Sequence, residues 1–171
     1  MPLSKLGEEQ AKALGRRLAA ETVVFDEIYA SEAVRAQQTA RFACEQMSAA
    51  PELQVVQTRP CSVMSVSEMV SSPLGICEIA MGAFTGKTKA SCNTPETLYE
   101  REMDAWDWRP PGLSGDEQLP GESYHDVETR FLAFLDNVVL PKKGSNQGDP
   151  PLIAVFSHHA AIRCVLRGLL E

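Results

Sequence analysis

Pro151-Leu152-Ile153-Ala154-Val155-Phe156-Ser157-His158-His159-Ala160-Ala161-Ile162-Arg163 is the stretch that decides the fold. An apolar run rich in branched side chains stops at Ser157, and the helical recurrence of Ile162, Val165 and Leu166 begins at once. The pattern predicts a buried strand that delivers two imidazoles to the N-terminal end of a helix. Free backbone N–H groups and the positive end of the helix dipole gather there, which favours an anion. A histidine in that place can bind phosphate, shuttle a proton or attack phosphorus.

The same architecture recurs upstream. Phe25-Asp26-Glu27-Ile28-Tyr29-Ala30 predicts a short strand, and Ser31 an N-cap for a helix through Val34, Thr39, Phe42 and Met47. Arg35 falls in that helix's first turn, where a cation opposes the dipole by roughly 0.3–1 kcal/mol. A bound anion reverses that cost; a lone Arg there simply snorkels into water. Two strand-to-helix junctions with phosphate-compatible groups favour the anion, because open parallel sheets place ligands beyond their strand C-termini.

Elsewhere, Leu6, Ala11, Leu14 and Leu18 trace a helical stripe over 5–20, capped by Ser4. Leu53 to Val56 reads as a strand, and the Ser- and Met-rich residues 57–77 as a loop or insertion. Thr94-Pro95 opens a helix to about Trp106, and the Pro- and Gly-rich residues 109–121 form a loop. Ser123 and Asp126 make a capping-box-like pair at the head of a helix whose one face carries Val127, Phe131, Phe134, Leu135 and Val138. His125 is expected to face solvent. A polar loop from Lys142 to Pro150 precedes the final strand, and Gly168 is a candidate cap for the last helix. Without an internal repeat or interdomain linker, residues 1–171 predict a single α/β domain, a three-layer sandwich with a mainly parallel sheet.

At 171 residues the chain can bury roughly two thirds of its unfolded surface in one core. Its net charge of −7 argues against nucleic acid as a partner, so a phosphate pocket must be a local basic spot suited to small phosphorylated molecules. No apolar run reaches the ~20 residues of a membrane span, and Met1 to Lys5 lack a signal-peptide core. Cys44, Cys61, Cys77, Cys92 and Cys164 show neither zinc nor disulfide spacing, which points to reduced thiols and a cytoplasmic location. A dinucleotide-binding domain is disfavoured, since no Gly-x-Gly-x-x-Gly follows a strand.

Five blocks, in order, resemble the histidine phosphatase superfamily, the phosphoglycerate mutase-like fold. Leu3-Ser4-Lys5-Leu6-Gly7-Glu8-Glu9-Gln10-Ala11 is similar to its "LTxxGxxQA" start, and Tyr29-Ala30-Ser31-Glu32-Ala33-Val34-Arg35-Ala36-Gln37-Gln38-Thr39-Ala40 to "SSxxxRAxQTA". Glu78, Gly82 and Gly86 follow "ExxxGxxxG", while Gly121-Glu122-Ser123 and Ser157-His158 resemble "GES" and "SHG". The resemblance implies that Arg35 and His158 bind the phosphoryl group and that Glu78 is the general acid. Such an acid must still hold its proton near neutral pH when the leaving oxygen needs it. His159 stands where the family has Gly or Gln, as a possible substrate contact or an exposed side chain. Ser123 and Glu122 are helix-start residues first, with pocket contact secondary. The resemblance implies neither metal nor cofactor.

The family's nucleophile lies in an Arg-His-Gly motif at the end of a first strand, upstream of the "LTxxG" block. That motif occurs nowhere here; the histidines are His125, His158 and His159. Two readings follow. The 171 residues are a fragment of an active phosphatase for small phosphorylated metabolites, inactive as given; or they are a phosphate-binding pseudoenzyme or regulatory module. The lost first strand is expected to leave unpaired strand edges and an apolar gap, hence a poorly stable or aggregating chain. A phosphoglycerate mutase is the further alternative, but the short gap from Gly86 to Gly121 favours a phosphatase of the broad-specificity or fructose-2,6-bisphosphatase-like kind. Trp106, Trp108 and Arg109 in that gap either select substrate as a lid or cover the core.

Overall fold

Strand β1 (Glu27–Ser31) forms parallel ladders on both sides, with β2 (Leu53–Val56) and with β3 (Ile153–Phe156). The register sets Ile28 opposite Leu53 and Ala154, and Ser31 opposite Val56. Parallel strands need crossovers, and helices α1 (Lys5–Ala20), α2 (Val34–Cys44), α3 (Lys89–Cys92), α4 (Pro95–Met103), α5 (Tyr124–Phe134) and α6 (His159–Leu170) alternate with them. This computed structural model describes residues 1–56, 75–112, 121–142 and 150–170. Most of the loops expected at 57–77, 109–121 and 142–150 therefore lie outside the described residues, as does Cys61; residues 75–77 are irregular, as expected.

Successive strand residues face opposite layers. Tyr29 turns towards α5, meeting the Phe134 ring edge-on at 5.5 Å, and joins Val56, Ile76, Val127, Phe131, Phe134, Ala161, Cys164 and Val165 in the main core. Ile28 and Ala30 are fully buried outside that cluster, and α2, which packs on the strands, buries Ala36, Ala40 and Ala43. The result is the three-layer α/β arrangement that the alternation predicts.

Helix α1 departs from expectation in its packing face. Its leucine stripe is mostly outward, with Leu6 68% and Leu14 42% exposed, while Ala11 and Gly15 are buried. A Cβ on Gly15 would fall 2.1 Å from the Ala43 carbonyl oxygen, so α1 and α2 meet backbone to backbone through small residues. Close approach outweighs the leucine pattern here.

Boundaries moved for identifiable reasons. Ser31 is not an N-cap: its pairing opposite Val56 keeps it in the ladder, and α2 starts at Val34 behind Ala33. That helix ends at Cys44 rather than Met47, and α4 ends at Met103 rather than Trp106. Thr94 caps α4 with Pro95 at its first position, and Ser123 and Asp126 form the full capping box of α5. Gly168 lies inside α6 rather than capping it; a Cβ there would stand 2.3 Å from a Glu128 carboxylate oxygen.

The expected gap does not open between paired strands, since β1 is bonded to both neighbours. Among the described residues the outer side of β3 has no strand partner, and all four of its apolar residues stay partly exposed. Among the described residues no helix is long and apolar enough to cross a membrane.

Candidate active site

Parallel pairing brings the C-terminal ends of β1 and β3 to one edge of the sheet. Ser31 ends β1; Ser157 and His158 follow β3. The hydrogen bond between His158 Nε2 and Ser31 Oγ, 2.9 Å across 127 residues of sequence, closes that edge. Both side chains are buried. Ser31, read from sequence as a cap, is thus a partner of His158; its oxygen also accepts the Ala33 amide at 3.3 Å. The His158 carbonyl accepts the Ile162 amide at 2.8 Å, which puts the imidazole at the mouth of α6 where helix amides point outward.

Arg35 lies in the first turn of α2, half-buried, on a helix with no acidic residue in that turn and no side-chain cap hydrogen bond. Its charge reaches His158, as do those of Glu78 and Arg130. Burial first, then the Arg35 cation, hold the His158 imidazole below the ordinary histidine range; Glu78 pulls the other way and Arg130 adds to the lowering. His158 is therefore neutral at pH 7, a hydrogen-bonding group rather than a second cation. The three sequence-predicted residues Arg35, Glu78 and His158 thus form one electrostatic neighbourhood.

Glu78 sits on an irregular segment, residues 75–81, that leads into a 3-10 turn at Gly82–Phe84. Its Oε1 accepts the Ile79 amide at 3.0 Å. The same segment contacts an ion pair that sequence reasoning missed. Glu122, just before the α5 cap Ser123, is 1% exposed, and its carboxylate takes the Arg130 guanidinium at 2.7 and 3.0 Å. Arg130 carried a readable signal: it occupies the α5 face that also buries Val127, Phe131 and Phe134, a strange place for an unpaired cation.

Other expected residues fall outside this neighbourhood. His159 opens α6 and is exposed, with no hydrogen bond to the pocket residues described here. His125 faces solvent as expected, with Nδ1 2.8 Å from an Asp107 carboxylate oxygen. Ser123 is buried by its capping role, accepting the Asp126 amide at 3.1 Å. The lid reading of Trp106, Trp108 and Arg109 meets contrary contacts. Trp106 packs on Tyr124 under the Arg167 guanidinium, Trp108 donates to Glu100 at 3.1 Å, and Arg109 is bound to Asp126. Those side chains are committed to the scaffold. Among the described residues no group of three or more His, Cys, Asp or Glu side chains is placed to hold a metal ion.

Comparison with known proteins agrees with this architecture. The native mycobacterial glucosyl-3-phosphoglycerate phosphatase superposes with a TM-score of 0.63 at 24% identity, covering 99% of this chain and 68% of that one. Its complex with inorganic phosphate gives 0.60 at 23% identity, covering 99% and 69%. A protein of Escherichia coli K-12, assigned as an α-ribazole-5'-P phosphatase, gives 0.53 at 21% identity over 99% and 68%. No curated protein matches the chain in sequence. The family model of the histidine phosphatase superfamily (branch 1) matches residues 1–59 and 66–171, so the chain belongs to that superfamily.

Proposed function

We propose that this chain is built as a phosphatase domain for small phosphorylated metabolites, with Arg35 and His158 gripping the phosphoryl oxygens and Glu78 protonating the leaving oxygen. The observation that carries the reading is His158: buried, neutral, bonded to Ser31 at the mouth of α6, and within electrostatic reach of Arg35 and Glu78. A phosphate dianion placed there meets a guanidinium, helix amides and an imidazole that can donate a hydrogen bond. Phosphatase structures of the same fold, one of them holding inorganic phosphate, support the hydrolase side. The glycolytic mutase reading stays second, because the Gly86–Gly121 interval is short.

Hydrolysis through a phosphohistidine splits one hard displacement into two, and the first needs an imidazole in line with phosphorus. None of the three histidines serves. His125 is paired with Asp107, His159 points outward, and His158 is tied to Ser31 as a phosphate ligand. The 171 residues by themselves therefore bind phosphate without turnover. Among the described residues the outer edge of β3 has no strand partner, which supports placing there a further strand bearing Arg-His-Gly, beside His158.

Two measurements test this. Titration of the chain with inorganic phosphate, followed by NMR, should show binding that weakens about tenfold or more in Arg35→Ala, the scale of one lost charged hydrogen bond of about 1.5–3 kcal/mol. A panel of small phosphoesters should give no turnover with the chain as given, and turnover once it is extended by a strand ending in Arg-His-Gly. Turnover by the unextended chain that disappears in Arg35→Ala rejects the inactive reading. An extended chain that binds phosphate without hydrolysing any ester favours the regulatory module.

A further inference from the structure

The segment 75–80 makes no regular secondary structure, yet its backbone is bonded almost residue by residue. The Arg130 guanidinium donates to the carbonyl oxygens of Gly75, Cys77 and Glu78, the latter two at 3.0 and 3.4 Å. The Ser157 hydroxyl donates to the Ile76 carbonyl at 2.6 Å. Glu122 accepts the Ala80 amide on its carboxylate at 2.8 Å, and its own amide donates to the Ala80 carbonyl, also at 2.8 Å. Gly75 lies so close to the Arg130 stem that a Cβ there would come within 2.6 Å of its Cδ. Loop and guanidinium are fitted to one another.

A buried ion pair is a poor way to gain stability, because desolvating two charges offsets their attraction. The Arg130–Glu122 pair, 6% and 1% exposed, therefore calls for another reason. A guanidinium presents several donors in a rigid plane, which lets one side chain fix several carbonyls at once. Those carbonyls belong to Glu78 and to the residues just before it. Glu122 fixes Ala80, two residues after.

We propose that Arg130 and Glu122 are positioning residues that set where the Glu78 carboxylate stands relative to His158, by clamping the backbone on both sides of Glu78. The proposal rests on the reading of Glu78 as the proton donor. It assigns Glu122, in the Gly121-Glu122-Ser123 block, to the acid segment rather than to the phosphate. It also gives α5 a part in the chemistry through the backbone of the acid segment.

The chain carries three histidines, so the His158 titration can be followed by NMR in the protein as it stands, with Arg35, Glu78 and Arg130 as the charged groups facing it. Removing the Glu78 charge by Glu78→Gln should lower the His158 midpoint. The same substitution is then made in two clamp variants. Arg130→Met with Glu122→Met replaces both buried ions together, which avoids stranding one charge. Arg130→Lys keeps the charge but loses the planar fork, and it serves if the double variant does not fold. The shift caused by Glu78→Gln is expected to shrink by half or more in both clamp backgrounds. An equal shift in every background, even with a lowered urea midpoint, overturns the positioning role alone and leaves a merely structural pair. No shift in the otherwise unsubstituted chain, titrated without phosphate, means that no Glu78 charge stands beside His158 and overturns the Glu78 reading, and this proposal with it.

Discussion

Protonating His158 in the folded chain puts a cation into a buried site that already feels Arg35 and Arg130. Its folded value lies below that of the unfolded chain, about 6.5 for an unperturbed histidine. Between the two values the unfolded chain holds a proton that the folded chain refuses, so stability rises with pH across that window. The contribution is complete above the unfolded value and is lost as pH falls towards the folded one. Urea midpoints measured from pH 8 to 5 should therefore drop on the acid side, and His158→Gln should flatten that limb. An identical slope in the variant rejects a buried neutral imidazole. Ser31→Ala should cost about 1 kcal/mol through the lost hydrogen bond to Nε2. Ser31 shows where reading by residue stops. Its chemistry suits a helix cap or a pocket, and only the pairing with Val56 excludes the cap.

At the scale of elements, α1 and α2 touch through Gly15 and Ala43, where there is no room for a methyl group. Gly15→Ala improves intrinsic helix propensity by up to about 1 kcal/mol, but here it forces two backbones apart. Overpacking of that kind costs typically 1–3 kcal/mol, so the net effect should be destabilising, read as a fall in the urea midpoint. Thr94→Ala, at an exposed cap, should cost about 1 kcal/mol and leave phosphate binding unchanged. A stabilised Gly15→Ala variant contradicts the helix contact described above. The contrast between these elements explains what sequence can show. The β3–α6 junction is legible because branched residues, Ser157 and two histidines are local signals. The capping box at Ser123 and Asp126 is local too. The packing face of α1 is not, since Leu6 and Leu14 satisfy a periodicity rule while the partner's shape selects Ala11 and Gly15. The Glu122–Arg130 pair joins residues that look like a helix start and a stray charge until segment 75–80 folds against them.

For the whole molecule, the described surface leaves apolar area uncovered beside a strand edge with no partner among the described residues. Helix α6 packs on α5 with one face and buries Ala161, Cys164 and Val165, while Ile162, Leu166 and Leu169 remain 40%, 50% and 59% exposed on another. Leu152, just before β3, is 49% exposed, and the four β3 residues are only partly covered. An edge strand of this composition carries no charge to repel a second chain and offers unpaired N–H and C=O groups. The net charge of −7 opposes association at low ionic strength, and salt screens it within about 10 Å at 0.1 M. The 171-residue chain should therefore self-associate with rising concentration, and more readily with added salt, as followed by sedimentation velocity. Leu166→Glu, on the exposed face of α6, should reduce that association without lowering the urea midpoint. Extension by a strand that pairs with β3 should suppress it and raise the midpoint together, because the same surface would be covered from within. A chain that stays monomeric at high salt and gains nothing from the extension would show that β3 is already a finished edge, and the site for an added nucleophile would then have to be sought elsewhere.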